Sequence, residues 1–259
     1  MKEKNKIKKE KNRKETGRPG ILPVMIFAVS AVVLSLCFPV QAAVGIGPGY
    51  SVTKLTLGGY TVPESAEVAV FVKAGNEEKN ATGVVSVYVK GNAGWYLKYD
   101  NIQANLGRGG TGKTKEGDEK TPLGMFTMNT PMGIKAKEEG FPENYLQVNK
   151  NHYWVGDSSS ALYNKLVEVS VTMSGGKTVT ADQFSVKDSE HIIDYAGYYD
   201  YAIDTGYNSA CTKGLGSALF LHCKVGNNFT GGCIAVPEAD MKNIMKLYKE
   251  GKTVIIIAH

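Results

Sequence analysis

The chain has 259 residues, of which 42% are hydrophobic and 21% are charged. This composition excludes a disordered or fibrous protein and suits one large or two small domains with a packed core. The formal net charge is +5, but residues 1–20 hold nine Lys or Arg and three Glu. The rest of the chain is therefore close to neutral, which gives no electrostatic reason to expect a nucleic-acid partner.

The basic run is followed by an uncharged stretch, Ile21 to Val44, that is long enough to span a bilayer. A helix-breaking Pro39 and a small-residue end at Ala42 predict an export signal cleaved after Ala42, with an uncleaved membrane anchor as the alternative. We therefore assign residues 1–20 to a cytoplasmic basic region and 21–43 to a signal core or anchor. Either reading places the remaining residues outside the cytoplasm, with membrane contact through the apolar segment if it is uncleaved.

Cysteine usage agrees with an exported protein that keeps a free thiol. Cys37 lies in the apolar stretch, which leaves Cys211, Cys223 and Cys233 beyond it. An odd number of cysteines outside the cell leaves at least one unpaired. A disulfide between Cys211 and Cys223 would leave Cys233 free, although the sequence does not determine the pairing.

The first elements along the chain are β-strands. Residues 44–81 predict a linker with a few leading strands, interrupted by Gly-rich breaks. The sequence VVSVYV after Gly83 and WYLKY after Gly94 are strand patterns that together predict a hairpin. Residues 107–124 contain six glycines and three lysines, which predicts a solvated surface loop.

Later elements are short strands followed by one helix. Short strands are predicted at 126–128 and 145–148, whereas 167–206 shows no clear period. Buried strands are predicted over 217–221 and 233–236. A helix is predicted to begin after Pro237 and to stop at Gly251. A last strand is predicted from Thr253 to Ala258. The sequence thus predicts a mainly β domain with few short helices.

One cysteine and one histidine stand at the ends of these buried strands. His222 ends the first, and Thr230-Gly231-Gly232-Cys233 opens the second. A cysteine attacks as its thiolate, and a nearby histidine is the usual group that activates it. The glycines permit backbone geometry in which the amides of Gly232 and Cys233 turn toward one point, as an oxyanion hole requires. Two alternatives are a buried structural cysteine and a zinc site that adds Cys211 and Cys223.

A second motif, far upstream, favours the catalytic interpretation of Cys233 and His222 over the two alternatives. The segment Lys120-Thr121-Pro122-Leu123-Gly124-Met125-Phe126 closes the Gly-rich loop as T-P-x-G-x-F. Together with L-H and T-G-G-C-I, it resembles the L,D-transpeptidase family with the YkuD-like catalytic domain, over residues 82–258. The resemblance implies a β-rich catalytic fold with Cys233 as nucleophile, His222 as general acid and base, and the Gly232 amide as an oxyanion donor. It implies peptidoglycan stem peptides as partners and no cofactor or metal.

The resemblance is incomplete around the cysteine. Gly231 stands where the family pattern commonly has a histidine, and Ala235 stands where an arginine is usual. We therefore expect a divergent branch that acts as a cell-wall transpeptidase. The alternatives are an L,D-carboxypeptidase using the same thiol and a wall-binding module without turnover. Tyr153 and Trp154 are predicted to line the substrate groove, with core packing as their alternative role.

Overall fold

The computed structural model describes residues 51–170 and 179–259, and the described chain is mainly β, as predicted. The predicted export segment, its cleavage site and Cys37 lie outside these residues. The strands are β1 (Thr56–Leu57), β2 (Tyr60–Thr61), β3 (Val68–Ala74), β4 (Thr82–Gly91), β5 (Gly94–Asn105), β6 (Gly124–Thr127), β7 (Pro131–Gly133), β8 (Leu146–Gln147), β9 (His152–Trp154), β10 (Leu166–Glu168), β11 (Glu190–His191), β12 (Ala202–Asp204), β13 (Phe220–Cys223), β14 (Ile234–Val236) and β15 (Thr253–Ala258).

Helical structure in the described part is limited to one α-helix and three short 3₁₀ turns. The α-helix, α1, spans Glu238–Leu247, and the turns span Ala181–Gln183, Val186–Asp188 and Ile192–Asp194. Within residues 51–170 and 179–259 no helix has the length and apolarity needed to cross a membrane.

Ten strands form one large sheet in the order β6-β15-β3-β4-β5-β14-β13-β12-β7-β8. The pairs β15–β3, β13–β14 and β7–β8 are parallel, and the other neighbours are antiparallel. The predicted hairpin is confirmed, because β4 and β5 pair antiparallel. The alternation in β4 is also confirmed, since Val85 and Val87 are fully buried. Strand β3 lies between β15 and β4 and is thus internal to the sheet.

The helix α1 covers one face of this sheet. It begins directly after Pro237, and its buried residues Met241, Ile244 and Met245 have the spacing of one helix face. These side chains join the largest apolar cluster, which includes Leu221 and Ile234 from the two central parallel strands. Strands β13 and β14 are therefore stabilised by packing against α1. Each fully buried aliphatic side chain contributes about 1.5–3 kcal/mol to the free energy of unfolding.

A small three-stranded sheet, in the order β10-β9-β11, lies beside the other face of β13. Trp154 on β9 packs edge-on against Phe220 on β13, with ring centroids 4.8 Å apart. Strand β11 pairs with β9, with Glu190 opposite Trp154. The described residues of 167–206, a segment whose sequence shows no clear period, thus form very short strands and turns, and the strands pair with partners elsewhere in the chain.

Candidate active site

The parallel pair β13–β14 brings the two predicted catalytic residues to the same face of the sheet. His222 is in register with Ala235, and Cys233 lies two residues before Ala235. Because alternate residues of a strand share a face, the side chains of His222 and Cys233 point to the same side. Both line one cavity of about 1100 Å³.

The Cys233 side chain is a buried thiol in the resting structure. Its residue is only 7% exposed, and the sulfur lies 3.3 Å from both the Ala218 carbonyl oxygen and the Phe220 amide nitrogen. Burial, reinforced by the nearby negative charge of Glu190, raises the pKa of Cys233 to about 12. At neutral pH the Cys233 side chain is therefore a neutral thiol.

The His222 ring is fixed by the backbone. Its Nδ1 lies 2.8 Å from the Cys223 carbonyl oxygen, which only accepts hydrogen bonds, so Nδ1 carries the proton and Nε2 keeps its lone pair. Burial lowers the pKa of His222 to about 4. The Cys223 and Tyr198 carbonyls favour the charged ring and raise the pKa, but their effect is smaller than that of burial. The resting pair is a neutral thiol and a neutral imidazole, and no hydrogen bond joins the two side chains among the described residues.

A threonine holds the turn that precedes Cys233. Thr230 Oγ1 accepts a hydrogen bond from the Gly232 amide at 3.0 Å and donates one to the Cys233 carbonyl at 2.7 Å. The Gly232 amide, predicted as an oxyanion donor, is thus engaged inside the turn. Within residues 51–170 and 179–259 the Cys233 amide has no hydrogen-bond partner, and it is the available donor beside the sulfur.

The two glycines of this turn have different structural roles, and we predict opposite responses to alanine. Gly232 has φ +137°, and a Cβ there would lie 2.7 Å from the Lys120 carbonyl oxygen, whereas a Cβ on Gly231 would meet nothing within 4 Å. With Cys233 as the nucleophile that the family resemblance implies, we expect Gly232→Ala to lower its acylation about 100-fold or more, because the turn must shift. Gly231→Ala, the matched control, should retain the wild-type rate within about threefold. Equal rates for both variants, measured by stopped-flow acylation, would contradict this assignment.

The Gly-rich segment 107–124 is not the fully solvated loop that the sequence predicted. Lys113 is buried, and its Nζ lies 2.8 Å from Asp118 Oδ1. Burial alone would raise the pKa of Asp118, but hydrogen bonds from Lys113 and three backbone amides hold it well below its ordinary value. The ion pair anchors the loop at the cavity, and the positive charge of Lys113 favours the thiolate of Cys233.

The predicted groove aromatics lie in packing positions. Trp154 is buried, and its Nε1 donates to Asn164 Oδ1 at 2.8 Å. Tyr153 stacks on His191 with ring centroids 4.4 Å apart. Neither residue is among those that line the cavity, although Asp157 from the same segment is.

The other two cysteines of the described residues, Cys211 and Cys223, are both free, so the disulfide considered between them is absent. Cys223 is buried, with its sulfur 3.5 Å from the Tyr201 carbonyl oxygen, whereas Cys211 is half-buried near the Asn164 carbonyl. Among the described residues there is no group of three or more His, Cys, Asp or Glu side chains arranged to hold a metal ion.

Two residues that line the cavity, Glu190 and Tyr199, were not predicted from the sequence. Tyr199 packs between Phe220 and His222, with ring centroids 5.3 Å from each. Its hydroxyl lies 2.7 Å from Glu190 Oε2. Both residues come from 167–206, where the sequence shows no clear period and gave no signal for either of them. Pairing of β11 and β12 with strands distant in sequence brings them to Cys233.

Fold and site together define a β-rich domain that carries a buried thiol beside a histidine in a large cavity. A family model, the YkuD L,D-transpeptidase catalytic domain, matches residues 79–257. The chain belongs to this family, whose domain is the catalytic unit of cysteine-dependent L,D-transpeptidases that act on peptidoglycan. No curated protein and no solved structure matches the chain significantly.

Proposed function

We propose that the domain forms an acyl-enzyme on Cys233 and transfers a peptidoglycan stem peptide to an amine acceptor. The observation that carries the proposal is the placement of the Cys233 thiol and the backbone-oriented His222 in one cavity of a domain that belongs to this family. His222 Nε2 keeps a lone pair and is thus suited to receive the thiol proton.

The proposed chemistry has two balanced halves. The Cys233 sulfur attacks the carbonyl carbon that precedes the terminal D-residue, and His222 takes the thiol proton. The tetrahedral intermediate then expels the D-amino acid, whose nitrogen receives that proton, and a thioester remains. An acceptor amine attacks the thioester and gives a proton to His222, which returns it to the leaving sulfur. In each half the free Cys233 amide is placed to stabilise the oxyanion.

The cavity has the size that a peptide substrate requires. At about 1100 Å³ it exceeds the usual range of roughly 300–1,000 Å³ for small-molecule sites. Its walls come from the Gly-rich loop at Arg108 and Glu116, the 3₁₀ region at Lys187, and the loop that contains Asn227. Charged and polar groups on several walls suit a branched stem that carries carboxylate, amide and amine groups.

Intact-mass spectrometry of the full chain after incubation with a carbapenem or a tetrapeptide-stem muropeptide tests the acyl-enzyme. We expect one covalent adduct per chain, located by peptide mapping on Cys233. Cys233→Ala should give none, while Cys211→Ala should be labelled like the wild type. An adduct on Cys211 alone, or no adduct with either reagent, would contradict the proposed nucleophile.

Product analysis separates transfer from hydrolysis. With muropeptide donor and a stem peptide that bears a free side-chain amine, a transpeptidase gives a cross-linked dimer, whereas a carboxypeptidase gives only the shortened stem. We expect the dimer. Because the substrate lies outside the cytoplasmic membrane, the proposal also requires export, which protease treatment of intact cells expressing the chain would test.

A further inference from the structure

The Ala218 carbonyl contacts the Cys233 thiol from a backbone conformation that alanine rarely adopts. The sulfur donates to the Ala218 carbonyl oxygen at 3.3 Å and accepts from the Phe220 amide at the same distance. Ala218 has φ +53°, in the left-handed region, where a Cβ atom crowds the backbone and residues other than glycine are uncommon. Such a conformation persists where neighbouring groups stabilise it.

The side chain of Asn164 supplies this stabilising contact. Its Oδ1 accepts a hydrogen bond from the Ala218 amide at 3.2 Å and a second from Trp154 Nε1 at 2.8 Å. Its Nδ2 donates to the Tyr207 and Asn208 carbonyls at 3.3 and 2.9 Å. All four hydrogen-bonding positions of this buried amide are therefore used, which fixes its orientation.

Asn164 is linked to the sulfur through a single residue and lies outside the cavity. Its Oδ1 binds the amide of Ala218, and the carbonyl of Ala218 binds the thiol. Ala218 and Cys233 line the cavity, whereas Asn164 is not among the lining residues. Asn164 can therefore change the position of the thiol's hydrogen-bond acceptor without touching a substrate.

Two groups of the cavity can accept the thiol proton, the Ala218 carbonyl and His222 Nε2. In the resting structure the thiol donates to Ala218, and no hydrogen bond joins it to His222 among the described residues. A hydrogen bond that the thiol donates exists while the sulfur is protonated, so it stabilises the neutral form. We propose that Asn164 is a positioning residue that, through Ala218, holds the Cys233 thiol neutral and in one orientation.

The proposal predicts opposite effects on two reactions of Cys233. Loss of Asn164 releases the thiol from its acceptor, so a small reagent should meet more thiolate and react faster. Acyl transfer should become slower, because a sulfur without a fixed orientation is less often in the geometry for attack. The second effect rests on the proposed function, whereas the first does not.

Alkylation by iodoacetamide in the full chain at pH 8 tests the first effect. Peptide mapping by mass spectrometry follows Cys233 and Cys223 in the same sample. Cys223 is an internal control, because it is a buried thiol on the opposite face of the sheet with its own acceptor, the Tyr201 carbonyl. Asn164→Ala should alkylate Cys233 about fivefold faster than the wild type, as expected for one lost hydrogen bond, with the rate at Cys223 unchanged.

Three further variants separate the contact with Ala218 from the other contacts of Asn164. Asn164→Asp removes the Nδ2 donor and keeps an acceptor for the Ala218 amide, so Cys233 should react within about twofold of the wild type. Trp154→Phe removes the other hydrogen bond to Oδ1, keeps an aromatic ring, and should likewise leave the rate unchanged. Ala218→Gly in the Asn164→Ala background should return the rate at least halfway to the wild-type value, because glycine adopts this conformation without Cβ crowding.

A melting temperature is measured for every variant to identify those that fold. Equal acceleration of Cys223 and Cys233 in Asn164→Ala would show general loosening and would overturn the proposal. An unchanged Cys233 rate in folded Asn164→Ala, or equal acceleration by Trp154→Phe, would also overturn it. If Asn164→Ala does not fold, Ala218→Val tests the same point, since a β-branched residue strongly disfavours the left-handed conformation, and it should accelerate Cys233 alone.

Acylation by a carbapenem, followed by stopped flow, tests the second effect. Asn164→Ala should lower the maximal rate about tenfold and keep the half-saturating concentration within about twofold, because Asn164 does not line the cavity. An unchanged maximal rate with a raised half-saturating concentration would contradict the positioning role. Absence of acylation in the wild type, together with the expected alkylation rates, would contradict the proposed function alone.

Discussion

Cys233→Ala is expected to abolish acyl transfer while leaving the folded structure in place. In the proposed mechanism the thiol is the attacking group, and removal of a nucleophile in such constellations costs at least about 10⁴-fold in rate. Among the described residues the sulfur donates one weak hydrogen bond to the Ala218 carbonyl and accepts one from the Phe220 amide, and its loss leaves a small cavity. We expect a loss of about 1 kcal/mol in the free energy of unfolding. Turnover of muropeptides and urea denaturation measure the two effects.

Cys211→Ala serves as the control for this variant, because Cys211 is not among the residues that line the cavity. It should keep turnover within about twofold of the wild type. Cross-linking by the Cys233→Ala protein at the wild-type rate would exclude Cys233 as the nucleophile. Loss of cooperative unfolding in that variant would show a structural role for the thiol that its contacts do not indicate.

His222→Gln has the second largest expected effect, a decrease of about 10²–10⁴-fold in the acylation rate. Because burial lowers the pKa of His222 to about 4, the neutral base persists well below pH 6.5. Wild-type acylation should therefore hold its plateau to about pH 5 and fall only near pH 4. Stopped-flow acylation by a carbapenem between pH 3.5 and 8 measures this profile. His191→Gln, at a histidine bonded to Asp194 and the Lys150 carbonyl, is the matched control.

The same lowered pKa makes a prediction about stability. Between pH 6.5 and 4 the unfolded chain binds a proton at His222 that the folded chain does not, so the free energy of unfolding falls as the pH falls. The contribution reaches about 3 kcal/mol over that window. His222→Gln should lack this part of the acid sensitivity. An acid limb near pH 6.5, or equal acid sensitivity in both proteins, would contradict the buried neutral ring.

Local patterns in the sequence were sufficient for most elements of the fold. The alternating valines of β4, the apolar spacing in α1 and the run Thr253–Ala258 each encode an element within a few neighbouring residues. The predicted helix start is confirmed, because α1 begins directly after Pro237. The physical reason is that proline suits the entrance of a helix and not its interior. The family resemblance drawn from two short motifs is likewise confirmed by the match over residues 79–257.

The amino-acid sequence by itself thus determined the β-rich class, the family and the two residues proposed for catalysis. Only the tertiary structure decided the surroundings of those residues. These are the Cys223 carbonyl that orients His222, the burial of Lys113 against Asp118, the absence of a disulfide between Cys211 and Cys223, and the Tyr199–Glu190 hydrogen bond in the cavity that Cys233 lines. The physical reason is that periodicity and turn chemistry act between neighbours along the chain. Burial, pKa and hydrogen-bond partners depend on strands that pair across 30 residues or more, as β11 does with β9.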